Sequence, residues 1–291
     1  MSDATDAGLF KDLTARRPPR IVYHYTSASG LIGILKSRAI WATSIRFLND
    51  SSEYSFAIDL VRKAIQDREA TAHNTFDIAL NSILAERLMT ETQAEVYVSS
   101  FTENPDQLSQ WRAYSPSTGG YAIGFRTKDL AQPEGSKPSR FLAHCVYDSG
   151  VQERLVKKLV QVVANSAETN RATGLERDRV FRETFKQFGR LLPLVAPVLK
   201  DPSFEEEQEW RLVCLPAAFE GASPHFRENR SMLVPYHEHH FPSKTPVPIE
   251  ELVIGPTPHP QLARDAAKAL LSANGMVSTT VQSSSIPYRT W

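Results

Sequence analysis

A strand, a short helix and a second strand follow one another near the start of the chain. The first strand is predicted at Ile21-Val22-Tyr23, the helix over 30–37 and the second strand over 39–44. The tetrapeptide His24-Tyr25-Thr26-Ser27 joins the first strand to the helix. A histidine and a hydroxyl residue that end a buried strand place hydrogen-bonding groups at the edge of a sheet. This order of elements predicts a sheet with a helix packed against it, which holds that edge rigid.

The remaining hydrophobic patterns predict more strands and helices in mixed order. Strands are predicted near 95–101, 121–125, 141–147, 210–215, 232–236, 251–255 and 276–282, and helices over about 50–68, 76–88, 108–114, 152–200 and 260–273. Because no segment repeats, we expect a single α+β domain over 20–291 with a split, mixed β-sheet. The stretch 152–200 is predicted to be a helical insertion on that domain, and residues 1–19 a flexible leader.

Composition excludes some classes of protein. Lys and Arg total 33, as do Asp and Glu, so the net charge of the 291 residues is zero and no global basic field indicates nucleic acid or a membrane surface. The composition does not exclude a local basic patch, because 151–200 carries twice as many basic as acidic residues. No run of roughly 18 apolar residues occurs, and the polar N-terminus is not a signal peptide. Cys145 and Cys214 lie in apolar, strand-like segments, which indicates reduced thiols in a cytoplasmic protein.

Two polar positions are candidates for chemistry. His24 is either a histidine satisfied within the core or a ligand group whose neutral imidazole, with Thr26 beside it, donates and accepts hydrogen bonds. The acids before the strand at 210 are either a solvated loop or the mouth of a sheet. If that strand begins near 208, Glu209 lies at the mouth beside a tryptophan, where partial desolvation suits an acceptor or general base. Glu207 is the second choice, because a residue two positions earlier points the same way.

Aromatic and polar residues near other strand ends form a second group of candidates. Trp111 and Tyr114 lie three apart, either as part of the core or as a stacking wall for a flat ring. Arg46 and Asn49 follow the second strand, where an arginine suits a phosphate, and Tyr54 on the next helix suits stacking. Each of these three is equally consistent with an ordinary surface position.

Other motifs argue against common chemistries. The run 236–240 contains three histidines and a glutamate but lacks the spacing of a zinc site, so no metal is expected. Gly119-Gly120 with Gly124 lacks the spacing of a dinucleotide-binding turn. The chain also has no phosphate-binding P-loop and no nucleophile elbow.

Seven landmarks, in this order, resemble a bacterial family known as domain of unknown function 2971. They lie at 23–27, 47–50 with Glu53, 99–101, 111–114, 119–125, 206–212 and 253–255. The resemblance covers nearly the whole chain from about 20 to 289 and implies no settled activity.

The chain is also more distantly similar to the ADP-ribosyltransferase superfamily, in the members that use a His-Tyr-Glu triad. By that resemblance His24 would hold the ribose of NAD with Thr26 in support, and Glu209 would steady the 2′-OH and the developing oxocarbenium ion. Tyr25, Tyr54 or Tyr114 would stack on nicotinamide. The resemblance implies NAD-dependent transfer of ADP-ribose to a protein or nucleic acid, without a metal, as a toxin or phage-defence effector would use it. The alternative is a non-catalytic nucleotide- or partner-binding module of the same fold.

Overall fold

The computed structural model describes most of the chain and divides it into two compact units. The described residues are 3–48, 53–90, 95–115, 119–130, 139–219, 221–229, 232–241 and 246–288. One unit, here the helical unit, comprises Met1–Arg16, Ile45–Val96 and His144–Glu205. The other, here the sheet unit, comprises Arg17–Ser44, Tyr97–Ala143 and Glu206–Trp291.

The elements follow one another in mixed order, as the sequence predicts. The helices are α1 (Asp3–Leu13), α2 (Ala28–Ser37), α3 (Glu53–Ala70), α4 (Thr75–Thr90), α5 (Leu108–Tyr114), α6 (Thr127–Leu130), α7 (Ser149–Ala172), α8 (Arg177–Val195) and α9 (Pro260–Ala273). The strands are β1 (Ile21–Thr26), β2 (Ala39–Ser44), β3 (Tyr97–Thr102), β4 (Tyr121–Arg126), β5 (Arg140–His144), β6 (Glu209–Cys214), β7 (His225–Asn229), β8 (Met232–His240), β9 (Ile249–Ile254) and β10 (Thr280–Ser283). Short 3₁₀ turns occupy Ile45–Phe47, Ala196–Val198, Pro202–Glu207 and Pro216–Phe219.

The helical unit contains α1, α3, α4, α7 and α8. The long helical stretch is interrupted between α7 and α8, where Gly174 has a φ of 81° that favours glycine. Helix α1 differs from the expected flexible leader, since Leu9 and Leu13 are one helical turn apart and both are buried. The Lys158 ammonium on α7 also donates to the Gly8 carbonyl. The prediction of one domain with a helical insertion stays a prediction.

The sheet unit contains the described strands in one mixed sheet, which confirms the α+β class. Its order is β10-β9-β4-β1-β3-β2-β8-β7, and β6 pairs with both β3 and β5. The pair β9–β10 is parallel, whereas β1, β2, β3, β4 and β8 make antiparallel ladders. Strand β7 is an addition to the elements that the sequence predicts.

Strand β3 has one edge that two other strands share. Strand β6 pairs with β3 from Tyr97 to Thr102. On the opposite edge β1 pairs only at Thr102, and β2 pairs only at Tyr97 and Val98. Neither β1 nor β2 therefore has a register partner at 99–101 in the described ladders. We call the gap between β1 and β2 beside 99–101 the fork.

Helices cover one face of the sheet. Leu31 and Leu35 of α2 and Leu271 of α9 pack with Val22, Phe125 and neighbouring apolar residues in the largest core cluster. Burial of such side chains at about 25 cal/mol per Å² is the main term that holds the sheet and helices together. None of the helices in the described ranges combines the length and apolar composition of a membrane span.

Candidate functional site

A small cavity lies at the fork, inside the sheet unit. Its volume is about 50 Å³. Four of its lining residues are predicted site residues and two more are their neighbours on β1. The full set is Tyr23, His24, Tyr25, Ser100, Phe101, Gln110, Tyr114, Glu207 and Glu209. The cavity thus brings His24, Tyr114, Glu207 and Glu209 to one place, although 185 positions separate His24 from Glu209 in sequence.

His24 is held in one tautomer by the fork. Its Nδ1 lies 2.9 Å from the Ser100 carbonyl oxygen. Because a carbonyl only accepts, Nδ1 must carry the proton, and the acceptor lone pair of the neutral ring is on Nε2. Burial lowers the pKa of His24 below its usual value, the bond to Ser100 opposes that shift, and the charge of Arg227 adds to it. The residue is therefore a neutral imidazole with a defined acceptor atom.

Glu209 begins β6 and forms a buried ion pair with Arg211. The Arg211 Nε donates to Glu209 Oε1 at 2.8 Å, and Arg211 Nη2 donates to Oε2 at 2.9 Å. Glu209 is only 4% exposed and Arg211 only 1%. A two-pronged guanidinium–carboxylate pair of this kind neutralises the carboxylate charge and fixes its orientation. Glu209 is the first residue of β6, and its charge partner was not predicted.

Glu207 reaches the cavity by a different route from the one expected. Glu207 was predicted to point the same way as Glu209, as it would if strand alternation extended back from Glu209. Gln208 has a φ of 42°, a left-handed conformation that is uncommon outside glycine, so alternation stops there. Glu207 instead ends the 3₁₀ turn Pro202–Glu207, is partly exposed and lines the cavity.

The ladders place the His24 and Glu209 side chains on opposite faces of the sheet. Directly paired residues share a face, and the pairs Tyr23–Thr102 and Thr102–Glu209 put Glu209 on the face of Tyr23. His24, one residue further on, faces the other way, and its ring lies 5.8 Å from that of Phe101. Both residues line the cavity because the fork interrupts the sheet between β1 and β2.

The structure separates the three tyrosines that the sequence leaves open for stacking. Tyr114, at the end of α5, is partly exposed and lines the cavity. The Tyr25 hydroxyl donates to the Asn104 carbonyl at 2.9 Å and accepts from the Gln107 amide at 3.0 Å, so it is a core residue. Tyr54 belongs to α3 of the helical unit and is 8% exposed.

The other predicted ligand residues do not line the cavity. Trp111 is 1% exposed, packs edge-on against Tyr25 at 4.5 Å and donates to Asp106, so it belongs to the core. Thr26 lies against the first turn of α2, where a Cβ on Gly30 would stand 2.0 Å from its Oγ1. Arg46 is exposed on a 3₁₀ turn of the helical unit. Asn49 lies outside the described residues.

Among the lining residues that were not predicted, Gln110 and Ser100 contribute polar groups to the site. Gln110 is 6% exposed and lies four residues before Tyr114 on α5, so the helical spacing places both on one face. Ser100 contributes the carbonyl that holds His24. The helical period could have identified Gln110, whereas no local signal identifies a backbone carbonyl left without a strand partner.

A larger cavity begins directly after β1 in the same unit. Its volume is about 300 Å³. It is lined mainly by small and hydroxyl-bearing residues: Ser27, Ala28, Ser29, Gly119, Gly120, Tyr121, Ile254, Gly255, Thr257 and Ala263. Ser27 is three residues beyond His24, about 10 Å along an extended chain. A lining residue of one cavity is therefore within about 10 Å of a lining residue of the other at this point.

Comparison with known proteins identifies a family over part of the chain. Residues 110–212 match the model of the family described as "Protein of unknown function (DUF2971)", which confirms the predicted family over that part of the chain. The match includes Gln110, Tyr114, Glu207 and Glu209 of the cavity. No curated protein and no solved structure is significantly similar to the chain. Within the described ranges, no three His, Cys, Asp or Glu side chains are grouped so as to hold a metal ion.

Proposed function

We propose that this chain, a member of the DUF2971 family by its match over 110–212, binds NAD at the fork and transfers ADP-ribose to a macromolecular acceptor. The observation that carries the proposal is the neutral His24 imidazole. Its Nδ1 is committed to Ser100, and Nε2 is left as an acceptor beside a cavity with two carboxylates. An acceptor of this kind takes a hydrogen bond from a sugar hydroxyl.

The reaction needs a carboxylate near the ribose, and Glu207 suits that role better than Glu209. The bond between ribose C1′ and the nicotinamide nitrogen breaks, and its electron pair leaves with neutral nicotinamide. An acceptor nucleophile then bonds to C1′ and loses its proton. The ribose carries positive charge between these events, and a carboxylate stabilises that charge. We assign the stabilising charge to Glu207 and the stacking on nicotinamide to Tyr114, because both are partly exposed and line the cavity.

The size of the fork cavity restricts what it holds. Ligand pockets for drug-sized molecules measure roughly 300–1,000 Å³, whereas the fork cavity measures about 50 Å³. It therefore accepts the hydroxyl groups of a ribose or the edge of a ring. The side chains of Gln110 and Tyr114 must move before a larger part of NAD can enter. The cavity of about 300 Å³ after β1 offers space for the rest of a dinucleotide.

A binding module without catalysis is the second candidate, and the Glu209–Arg211 pair favours it. If the ion pair is the only role of Glu209, the motif at 206–212 stabilises β6 and the fork binds a nucleotide or a partner without chemistry. The two candidates differ in one product, because only the transferase releases nicotinamide from NAD.

The central experiment replaces His24 with asparagine. Asparagine Nδ2 takes the place of the imidazole Nδ1 and still donates to Ser100, but the acceptor at Nε2 is gone. His24→Asn should keep the melting temperature and weaken NAD binding about tenfold or more by calorimetric titration, the value of one hydrogen bond lost from a buried site. His73→Ala, a change of an exposed histidine in the helical unit, is the matched control and should leave both unchanged. Unaltered NAD affinity in a folded His24→Asn protein would remove His24 from the site.

Turnover separates the transferase from the binding module. Glu207→Gln should lower nicotinamide release about a hundredfold or more and change NAD affinity little, since its charge acts mainly in the transition state. Glu205→Gln, an exposed acid two residues earlier, should leave turnover unchanged. NAD binding without any nicotinamide release by the wild type would support the binding module.

The pH dependence of NAD affinity tests the state of the imidazole. Burial lowers the pKa of His24, so the ring takes up a proton at a lower pH than an ordinary histidine, and affinity should fall by less than about fourfold between pH 8 and pH 6. A histidine with the ordinary pKa near 6.5 would be mostly protonated at pH 6, and affinity would fall about fourfold. A fourfold fall would show that the fork is open to water when the ligand binds.

A further inference from the structure

A third cavity lies in the helical unit, where α7 ends, α8 begins and α4 begins. Its volume is about 190 Å³. Its lining consists of Thr75, Phe76, Arg171, Leu175, Arg177 and Val180. Two guanidinium groups therefore border one small cavity whose other walls are apolar, apart from the Thr75 hydroxyl.

Aromatic rings hold the two arginines in place. The Arg171 guanidinium carbon lies 4.7 Å from the centre of the Phe76 ring, and that of Arg177 lies 5.3 Å from the centre of the Phe181 ring. The two phenylalanine rings are themselves stacked, with centres 5.6 Å apart and planes 24° from parallel. The N–H groups of arginine lie in the plane of its own guanidinium. A guanidinium that lies over an aromatic face therefore keeps these groups available for an anion.

The two guanidinium charges are not paired with a carboxylate in the part of the chain that the structure describes. Other cations of the helical unit are paired, as Arg68 is with Asp77 at 2.6 Å and Lys186 with Glu183 at 3.2 Å. Within the described ranges, neither Arg171 nor Arg177 has a carboxylate oxygen within ion-pair distance. Both arginines are exposed, so their charges are accessible to an anion that enters the cavity, and salt screens the attraction.

The charge and the walls indicate which anion fits. Two guanidinium groups supply two positive charges, which matches a phosphate monoester at about −1.5 to −2 better than a carboxylate at −1. The fork geometry of arginine also matches phosphate oxygens in pairs. Leu175, Val180 and Phe76 supply an apolar surface for a small group attached to the phosphate. We infer that this cavity binds a small organic phosphate monoester, independently of any NAD site in the sheet unit.

Phenyl phosphate, inorganic phosphate and benzoate are the probes that separate charge from apolar contact. Each is titrated calorimetrically into the full chain at constant ionic strength, because exposed charges are screened by salt. Phenyl phosphate should bind most tightly, since its ring adds apolar burial, and benzoate should bind about tenfold more weakly because it carries less charge. No saturable binding of phenyl phosphate up to about 20 mM, weaker than any useful millimolar affinity, would overturn the inference.

Variants of the two arginines locate the binding. Arg171→Gln and Arg177→Gln should each weaken phenyl phosphate binding about 10- to 100-fold, which is the value of a charged hydrogen bond. Arg179→Gln is the matched control, because this exposed arginine is on the same helix and does not line the cavity. The double variant Arg171→Lys with Arg177→Lys keeps both positive charges but loses the paired N–H geometry of the guanidinium groups. It should bind phenyl phosphate at least about fivefold more weakly than the wild type. Wild-type affinity in that lysine variant, or an equal loss in Arg179→Gln, would show non-specific attraction and contradict the inference.

Discussion

Replacing Glu209 by glutamine tests whether this carboxylate is structural or catalytic. The change removes the negative charge that faces Arg211 at 2.8 Å and 2.9 Å, while both residues are almost fully buried. Removing one partner of a buried ion pair costs about 3–5 kcal/mol, because the other charge loses its compensation. The glutamine oxygen still accepts one bond from Arg211, so we expect about 3 kcal/mol. For a unit of this size that corresponds to a decrease of roughly 6–12 °C in melting temperature.

Tryptophan fluorescence during urea unfolding measures the loss of unfolding free energy in the sheet unit, which contains Glu209 and Arg211. The tryptophans among the described residues, at 41, 111 and 210, fall within the sheet unit, so their emission reports that unit. Glu207→Gln is the control, and as a partly exposed residue outside a strand it should change the free energy of unfolding by less than about 0.5 kcal/mol. The double change Glu209→Leu with Arg211→Met should recover most of the loss, because a buried pair is replaced by apolar side chains.

The unfolding free energy and the nicotinamide release of Glu209→Gln, measured together, test whether Glu209 has a structural role. If Glu209 is structural, nicotinamide release by Glu209→Gln follows the folded fraction and returns to the wild-type rate at temperatures where both proteins are folded. A Glu209→Gln protein within about 0.5 kcal/mol of wild type that has lost its turnover would refute the reasoning from the ion pair. Glu209 would then be the catalytic carboxylate, as the resemblance to ADP-ribosyltransferases implies.

Three further outcomes follow from burial. Between pH 7.5 and pH 5 the wild type should lose about 2 kcal/mol more unfolding free energy than His239→Gln, in urea titrations at each pH. Burial and the Arg140 charge lower the pKa of His239 to about 4, so the unfolded chain gains a proton in that window and the folded chain does not. Gly255→Ala should cost about 2 kcal/mol by the same assay, because its Cβ would stand 2.9 Å from the Trp111 ring. Burial raises the pKa of Cys214 to about 12, so iodoacetamide at pH 8 should leave that thiol unmodified in the native protein, by mass spectrometry.

Local patterns predicted the elements because each depends on neighbouring residues. The alternation of Trp210, Leu212 and Cys214 with Glu209 and Arg211 predicted β6, and these three apolar residues lie in the core cluster. Helix α1 has the same kind of local signal, with Leu9 and Leu13 one turn apart, but the polar N-terminus concealed it. Helix α1 forms because those two leucines are buried, which is a tertiary effect that composition does not report.

The candidate site was harder to predict because it depends on pairing between distant segments. His24 and Glu207 come together only because β1, β3 and β6 are neighbours in the sheet, and no local pattern states that order. The left-handed conformation of Gln208 is also invisible in sequence, and it decides that Glu207 approaches the cavity from a turn. The buried partner of Glu209 was close in the motif, two residues away at Arg211, but only partial desolvation of the carboxylate was predicted and no charge partner.

The fork explains why the cavity and its histidine occur together. A strand edge shared by two partners leaves backbone groups between them without a ladder bond, and a buried carbonyl in that position requires another donor. The His24 imidazole supplies it to Ser100 at 2.9 Å. The same divergence of β1 and β2 opens the cavity and, through this bond, fixes which nitrogen of the ring accepts. A slip of one residue in the single pair Tyr23–Thr102 would turn His24 to the other face and close this arrangement. The acceptor nitrogen of His24 is therefore a consequence of the sheet topology. The His24 ring has two roles, as a donor to Ser100 and as an acceptor for a ligand. His24→Asn separates these roles because it keeps the donor, whereas a truncation would remove both.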